Sequence, residues 1–211
     1  MLLAFDTATP AVTVALHDGE RVVASHLTVD ARRHGELLAP GITAVLDQAW
    51  VTRQDVTAIA VGVGPGPFTG LRVGLVTART LALALDVPVY GVCTLDVLAA
   101  RAVDEGLEVP FLVATDARRK EVYWAAYDGQ GVRLDGPHVS RPADVATHGP
   151  VVGAGAVLYP DAFPHSVEPT LPDAGVLARV VTEERAELLD PEPLYLRRPD
   201  IAAPSTPKRV S

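Results

Sequence analysis

Cysteine and lysine are nearly absent from this chain, and each shortage removes a class of function. Cys93 is the single cysteine among 211 residues, which excludes a disulfide framework and a cysteine zinc site. Lysine occurs only at 120 and 208, against 16 arginines, an excess that reads as genome composition rather than function. No basic n-region opens the chain, and Asp6 interrupts its apolar start, so no signal peptide is evident. The longest charge-free runs, 56–71 and 145–160, span 16 residues each and contain prolines and glycines. Neither reads as a membrane span, and the expected compartment is the cytoplasm. A basic footprint is missing too: the formal net charge is −8, which disfavours a stand-alone tRNA or DNA binder. What remains is an ordinary globular balance, 48% apolar and 21% charged, long enough for one large domain or two small ones.

The most informative segment is Val61-Gly-Val-Gly-Pro-Gly-Pro-Phe-Thr-Gly-Leu-Arg-Val-Gly74, which joins an apolar strand to a long apolar helix. Such strand-turn-helix junctions often cradle phosphate on unpaired helical N–H groups. Here Pro65 and Pro67 carry no N–H, and no lysine follows. The segment fits neither G-x-x-x-x-G-K-[ST] nor G-x-G-x-x-G. It has the outline of a nucleotide loop without much of its equipment.

Apolar runs and turn signals predict strands at 2–6, 11–16 and 21–29, the last two joined at Asp18-Gly19. A helix is predicted at 36–49, where Pro40 is tolerable only near the first turn. Strands follow at 57–63 and 87–92, with helices at 69–85 and 94–105. Then strands are predicted at 109–115, 121–127, 131–139 and 150–154, a short helix at 142–147 and a helix at 173–187. The order, three strands then helix, strand, helix, occurs twice. Leu2-Leu3-Ala4-Phe5-Asp6 matches Leu112-Val113-Ala114-Thr115-Asp116, and each copy has a later strand ending in Gly-x-Gly (Gly62 and Gly64; Gly153 and Gly155). The fold class expected is α/β, a duplicated βββαβα unit forming two lobes about a cleft, as in actin-like ATPases. Lobes of 1–106 and 107–198 are predicted, with a disordered Pro- and Arg-rich tail at 199–211.

Asp6 and Asp116 end their strands, where open α/β sheets place ligand groups. Each carboxylate either serves chemistry or caps its own turn, and Thr7 and Thr9 either meet phosphate or serve the turn. The six histidines form no i, i+3 or i, i+4 pair, and H-E-x-x-H and G-x-S-x-G are absent. No metal site and no catalytic nucleophile stands out. His34 reads as a surface or capping residue, and Cys93 as core. On 69–85, Gly70, Gly74, Thr77, Ala78 and Leu81 form a small-residue face, while Arg72 and Arg79 share another. A helix this apolar is either buried in its own domain or covered by a partner. The three cations of Asp116-Ala-Arg-Arg-Lys-Glu-Val-Tyr123 either meet an acidic partner, such as RNA phosphate or a nucleotide, or sit in a solvated turn.

Taken together, Leu3–Thr9, the His34-Gly-Glu36…Leu38…Pro40 helix start, the 62–72 loop, Asp116–Tyr123 and Pro193-Leu-Tyr-Leu-Arg197 resemble the TsaB (YeaZ) family, in register from residue 1 to about 198. Gly35 departs from the serine common there. The resemblance implies an actin-like, ribonuclease H-like fold without catalysis or cofactor of its own. It implies a cytoplasmic dimerization subunit in the synthesis of threonylcarbamoyladenosine, a tRNA modification. TsaD, the paralogous transferase, would be the partner, joined by the ATPase TsaE, with tRNA bound through the complex; a homodimer would form without TsaD. The family's dimer contact maps onto 36–49 and 69–85, so Leu38, Ile42, Val45, Gly70, Gly74, Ala78 and Leu81 are the interface residues expected. A junctional ATP or ADP would lie near Asp6, Thr7, Arg118 and Arg119. The rival reading is a self-sufficient ATPase, kinase or glycoprotease-like peptidase.

Overall fold

A computed structural model of the chain describes residues 1–197. Arg198 and the tail expected at 199–211 lie outside the described residues. The first repeat supplies strands β1 (Leu2–Asp6), β2 (Ala11–His17), β3 (Val22–Val29), β4 (Ala58–Gly62) and β5 (Val89–Val92). The second supplies β6 (Phe111–Asp116), β7 (Val122–Tyr127), β8 (Arg133–Ser140), β9 (Val151–Val152) and β10 (Ser166–Val167). The sheets have equivalent orders, β3-β2-β1-β4-β5 and β8-β7-β6-β9-β10. In each, the first three strands form an antiparallel meander and the last two add in parallel. The duplicated α/β organisation expected from the residue order is therefore present.

Every residue of β1 and β2 is buried, which explains why apolar residues dominate both: both faces of the first sheet are covered. Leu3, Phe5, Val12, Val14, Leu16, Ile59 and Val61 face one layer, formed by α1 (His34–Gln48) and α2 (Phe68–Leu85). Leu2, Ala4, Ala15 and Ala60 face the opposite layer. There, α3 (Thr94–Asp104) meets α5 (Ala174–Thr182). The second sheet is covered more thinly, by α3 on one face and by the five-residue α4 (Ala154–Leu158) and the 159–163 segment on the other.

The helices do not respect the expected lobe boundary. From the second repeat, α5 packs on the first sheet; from the first, α3 inserts Leu95, Leu98, Ala99 and Ala102 against the second. Residues 189–194 also return to the first lobe. Gly91 and Leu189 exchange backbone hydrogen bonds at 2.8 Å, and Leu194 N–H donates to the Val63 carbonyl at 2.9 Å. A cut at 106 divides the sheets but not the packing units, because apolar helix faces do not specify which sheet they cover.

Several local expectations are corrected. Pro40 is the seventh residue of α1, not a first-turn residue. It is tolerated because Pro40 and Glu36, whose carbonyl loses its partner, are exposed. The short helix expected at 142–147 is a single 3-10 turn, Pro142–Val145, while α4 and β10 were not predicted. The small face of α2 turns inward: Gly70, Leu71, Gly74, Leu75, Ala78 and Ala82 are its buried residues. A Cβ on Gly74 would lie 2.5 Å from Thr7 Oγ1, so the glycine is what lets the helix reach the β1 turn. Leu38 and Val45 are likewise core, and Ile42 and Leu81 are half-buried against it.

The helix exchange can be tested at Leu177, which is fully buried under the first sheet. Leu177→Ala should cost about 2–5 kcal/mol in denaturant unfolding. Native-state hydrogen exchange should then accelerate most on β1 and β2; acceleration confined to β6 and β7 would contradict this packing.

Candidate functional site

The carboxyl ends of β1 and β4 and the start of α3 converge on the Asp6 carboxylate, which is fully buried. Its Oδ1 accepts the Ala8 N–H at 2.7 Å, and its Oδ2 accepts the Thr94 hydroxyl at 2.7 Å. The Thr94 hydroxyl in turn accepts the Gly64 N–H at 3.2 Å, drawing in the glycine–proline loop. A Cβ on Gly62 would fall 1.9 Å from Asp6 Oδ2, so glycine there is a condition of the arrangement. Burial pushes the Asp6 carboxyl above its ordinary value, although the Ala8 and Thr94 hydrogen bonds pull the other way.

Thr7 is sealed as well, 1% exposed, its hydroxyl donating to the Gly70 carbonyl at 2.8 Å. His34 is not a surface residue. It is buried beside Gly70, and its Nε2 lies 2.7 Å from the Thr9 carbonyl, which fixes Nε2 as the donor. The turn-capping reading of Asp6 is therefore the one present, and neither Asp6 nor Thr7 offers a free atom to a metal or phosphate. Among the described residues, no group of three or more His, Cys, Asp or Glu side chains is arranged to hold a metal ion.

The second repeat reproduces this turn in open form. Asp116 Oδ1 accepts the Arg118 N–H at 2.8 Å, the counterpart of Asp6 and Ala8, and Asp116 Oδ2 pairs with the Arg118 guanidinium at 3.2 Å. Arg118, Arg119 and Lys120 all have positive φ, at 61°, 55° and 62°. Left-handed conformations cost non-glycine residues roughly 1–2 kcal/mol each, so this all-cationic turn is held from outside. Arg197 supplies that hold, donating to the Ala117 carbonyl at 2.9 Å and pairing with Glu121. Between the two turns lies an apolar cleft of about 450 Å³, lined by Ala8, Pro10, Pro67, Ala154, Val157 and Leu171, with Asp116 and Arg118 at its edge. Thr115 Oγ1, also on that wall, has no hydrogen-bond partner among the described residues.

A second buried polar group escaped the sequence reading. Asp96 on α3 accepts the Tyr127 hydroxyl at 2.7 Å and lies 3.5 Å from Arg133, which also meets Glu187 at 3.1 Å. Burial raises Asp96 and Tyr127 and pushes the neighbouring Cys93 thiol up to about 12. These residues tie α3 to β7 and β8, and their wide sequence separation left no motif to find.

The outer face of α2 carries the surface features. Val76 and Leu83 are 61% and 86% exposed, and Trp50, just beyond α1, is 95% exposed. Alongside them, Arg72 lies 5.6 and 5.7 Å from the Phe68 and Tyr195 ring centroids and donates to the Tyr195 hydroxyl at 2.8 Å. Arg79 donates to the Pro191 carbonyl at 2.7 Å and pairs with Glu192. The only two charges of α2 thus strap the 191–195 segment along it. By length and composition α2 would suffice to cross a bilayer, but it is one wall of a folded core.

Comparison with known proteins gives a consistent set of relatives. The family model described as "TsaD: tRNA N6-adenosine threonylcarbamoyltransferase" matches residues 23–159. An uncharacterized protein of Mycobacterium tuberculosis is 46% identical over 208 residues, 94% of this chain and 92% of that one. The Escherichia coli tRNA threonylcarbamoyladenosine biosynthesis protein TsaB is 41% identical over 127 residues, 60% of this chain and 54% of its own length. The structure of YeaZ from Pseudomonas aeruginosa superposes with a TM-score of 0.79 at 36% identity, covering 92% of this chain and 99% of that one.

The buried Asp6 predicts a pH dependence of defined sign. Its folded pKa lies above the unfolded value of 3.8, so its contribution to stability is complete below that pH and is lost as pH rises through the raised value. In urea unfolding at stepped pH, wild type should therefore lose stability relative to Asp6→Asn as pH rises from about 4. An advantage of wild type that grows with pH would contradict the assignment.

Proposed function

The chain belongs to the TsaB (YeaZ) family, and from that premise we propose that it is a non-catalytic subunit of the complex that makes threonylcarbamoyladenosine in tRNA. In this reading it binds a TsaD-type threonylcarbamoyltransferase, stabilises its active shape, and carries TsaE as a third component. The observation that carries the reading is the sealing of Asp6: the group an actin-like enzyme would turn toward metal or water is here spent on Ala8, Thr94 and the Gly62 approach. A self-sufficient ATPase, kinase or peptidase would need that carboxylate accessible. The docking face assigned to the partner is the exposed side of α2, with Val76 and Leu83, rather than the glycine face first expected. Solvent-exposed aliphatic side chains on a helix of high apolar content are the usual material of a permanent interface.

A nucleotide at the junction of the two subunits would draw on Arg118 and Arg119 in this chain, since Asp6 and Thr7 are enclosed. Equal nucleotide affinity for the isolated chain and for the reconstituted pair would remove that part of the proposal.

Val76→Asp with Leu83→Asp should abolish co-purification with the TsaD-type chain of the same cell while leaving the thermal midpoint within a few degrees, as expected for exposed sites. Gly74→Asp should instead prevent folding, because its side chain would enter the Thr7 hydroxyl. Retained pairing by the α2 surface variant would overturn the docking assignment.

A further inference from the structure

Among the described residues, eight of the fourteen arginines of this acidic chain are paired with a carboxylate. Lys120 and Arg141, like Arg21, Arg32 and Arg53, are exposed and make no hydrogen bond or ion pair through their side chains among the described residues. What sets the first two apart is that both line one open depression of about 470 Å³ in the second lobe. Pro142, Ala146, Leu158 and Tyr159 line it as well, together with Asp161; Tyr159 is partly buried, with one side packed on the core of the second lobe.

The position of Lys120 is fixed by the backbone rather than by a side-chain partner. It is the last of three successive left-handed residues, in a turn whose base is clamped by Arg197 on Ala117 and Glu121. The equivalent turn of the first repeat, Thr7-Ala8-Thr9-Pro10, carries no charge at all. Arg141 immediately precedes the Pro142–Val145 turn, on a different element. Two unpaired cations from separate elements, lining one depression with a tyrosine and several apolar residues, suit a charged backbone carrying a flat, stackable base.

We propose that this depression is an RNA contact, in which Lys120 and Arg141 each meet a phosphate and a single-stranded loop nucleotide stacks on Tyr159. The proposal rests on the tRNA-modification reading for the identity of the RNA, and it assigns this chain a direct part in holding that substrate. The global charge of −8 is compatible with it, because two local contacts add to whatever the partner subunit supplies.

The test measures binding of an unmodified tRNA transcript to the complex of this chain with its TsaD-type partner, across a salt series. Lys120→Glu with Arg141→Glu should weaken binding about tenfold or more and make the log–log salt slope shallower by about 1.4, the value for two phosphates on a single strand. Tyr159→Leu should weaken binding without changing the slope. Arg53→Glu, an exposed reversal in the 3-10 turn that follows α1, should change neither. Unchanged affinity and slope in the double variant, with the complex intact, would overturn the RNA contact and leave the scaffold reading standing. Should wild type form no complex, the scaffold reading falls, and binding of the isolated chain to an anticodon stem-loop RNA at low salt decides this one. Loss in the double variant supports it; equal binding, or none by wild type, overturns it.

Discussion

The Asp6 carboxylate is the constraint around which the first lobe is built. A charge-bearing group removed from water must be hydrogen-bonded or neutralised, and here Ala8 and Thr94 supply the donors. Those two bonds join the β1 turn to the start of α3, and the Gly64–Thr94 bond brings the glycine–proline loop to the same point. Gly62 and Gly74 are conditions of this closure, since a side chain at either would occupy the space of Asp6 or Thr7. The result converts a feature suited to ligand binding into an internal tie. The open copy at Asp116, with its charged turn, shows what the same local geometry looks like without that enclosure.

The tie also accounts for the character of α2. Its glycine and alanine side is drawn onto β1 and β4, which leaves the bulkier Val76 and Leu83 on the outside. Arg72 and Arg79 then fasten the chain near its C-terminal end along the flank of the helix. One helix therefore serves as core wall, anchor for a distant segment and apolar surface. Residues 189–195 belong energetically to the first lobe for the same reason. Exchange of α3 and α5 between the sheets binds the two repeats together, with the Asp96–Tyr127–Arg133 cluster adding a polar link.

Much of this was legible in the residue order. The apolar residues of 2–6 and 11–16 marked strands, and the match of Leu2–Asp6 with Leu112–Asp116 revealed the duplication. The two missing N–H groups at Pro65 and Pro67 weaken the phosphate-loop reading. The orientation of α2 was not legible, because a stripe of small residues looks the same whether it meets a partner or its own sheet. His34 was misread for a related reason: its burial depends on Gly70, 36 positions away. Short elements such as α4 and β10 carry too few residues for a periodic signal. The Asp96 cluster draws on positions whose proximity only the folded chain creates.

If the account is right, Asp6 shapes the subunit without taking part in chemistry. The most direct measurement is the rate of threonylcarbamoyl transfer to tRNA by the reconstituted pair when this chain carries Asp6→Asn. A rate within a few-fold of wild type is predicted, provided the variant folds and pairs normally. A loss of a hundredfold or more with pairing intact, the size expected on removing a general acid or base, would contradict the claim that this chain is a structural partner.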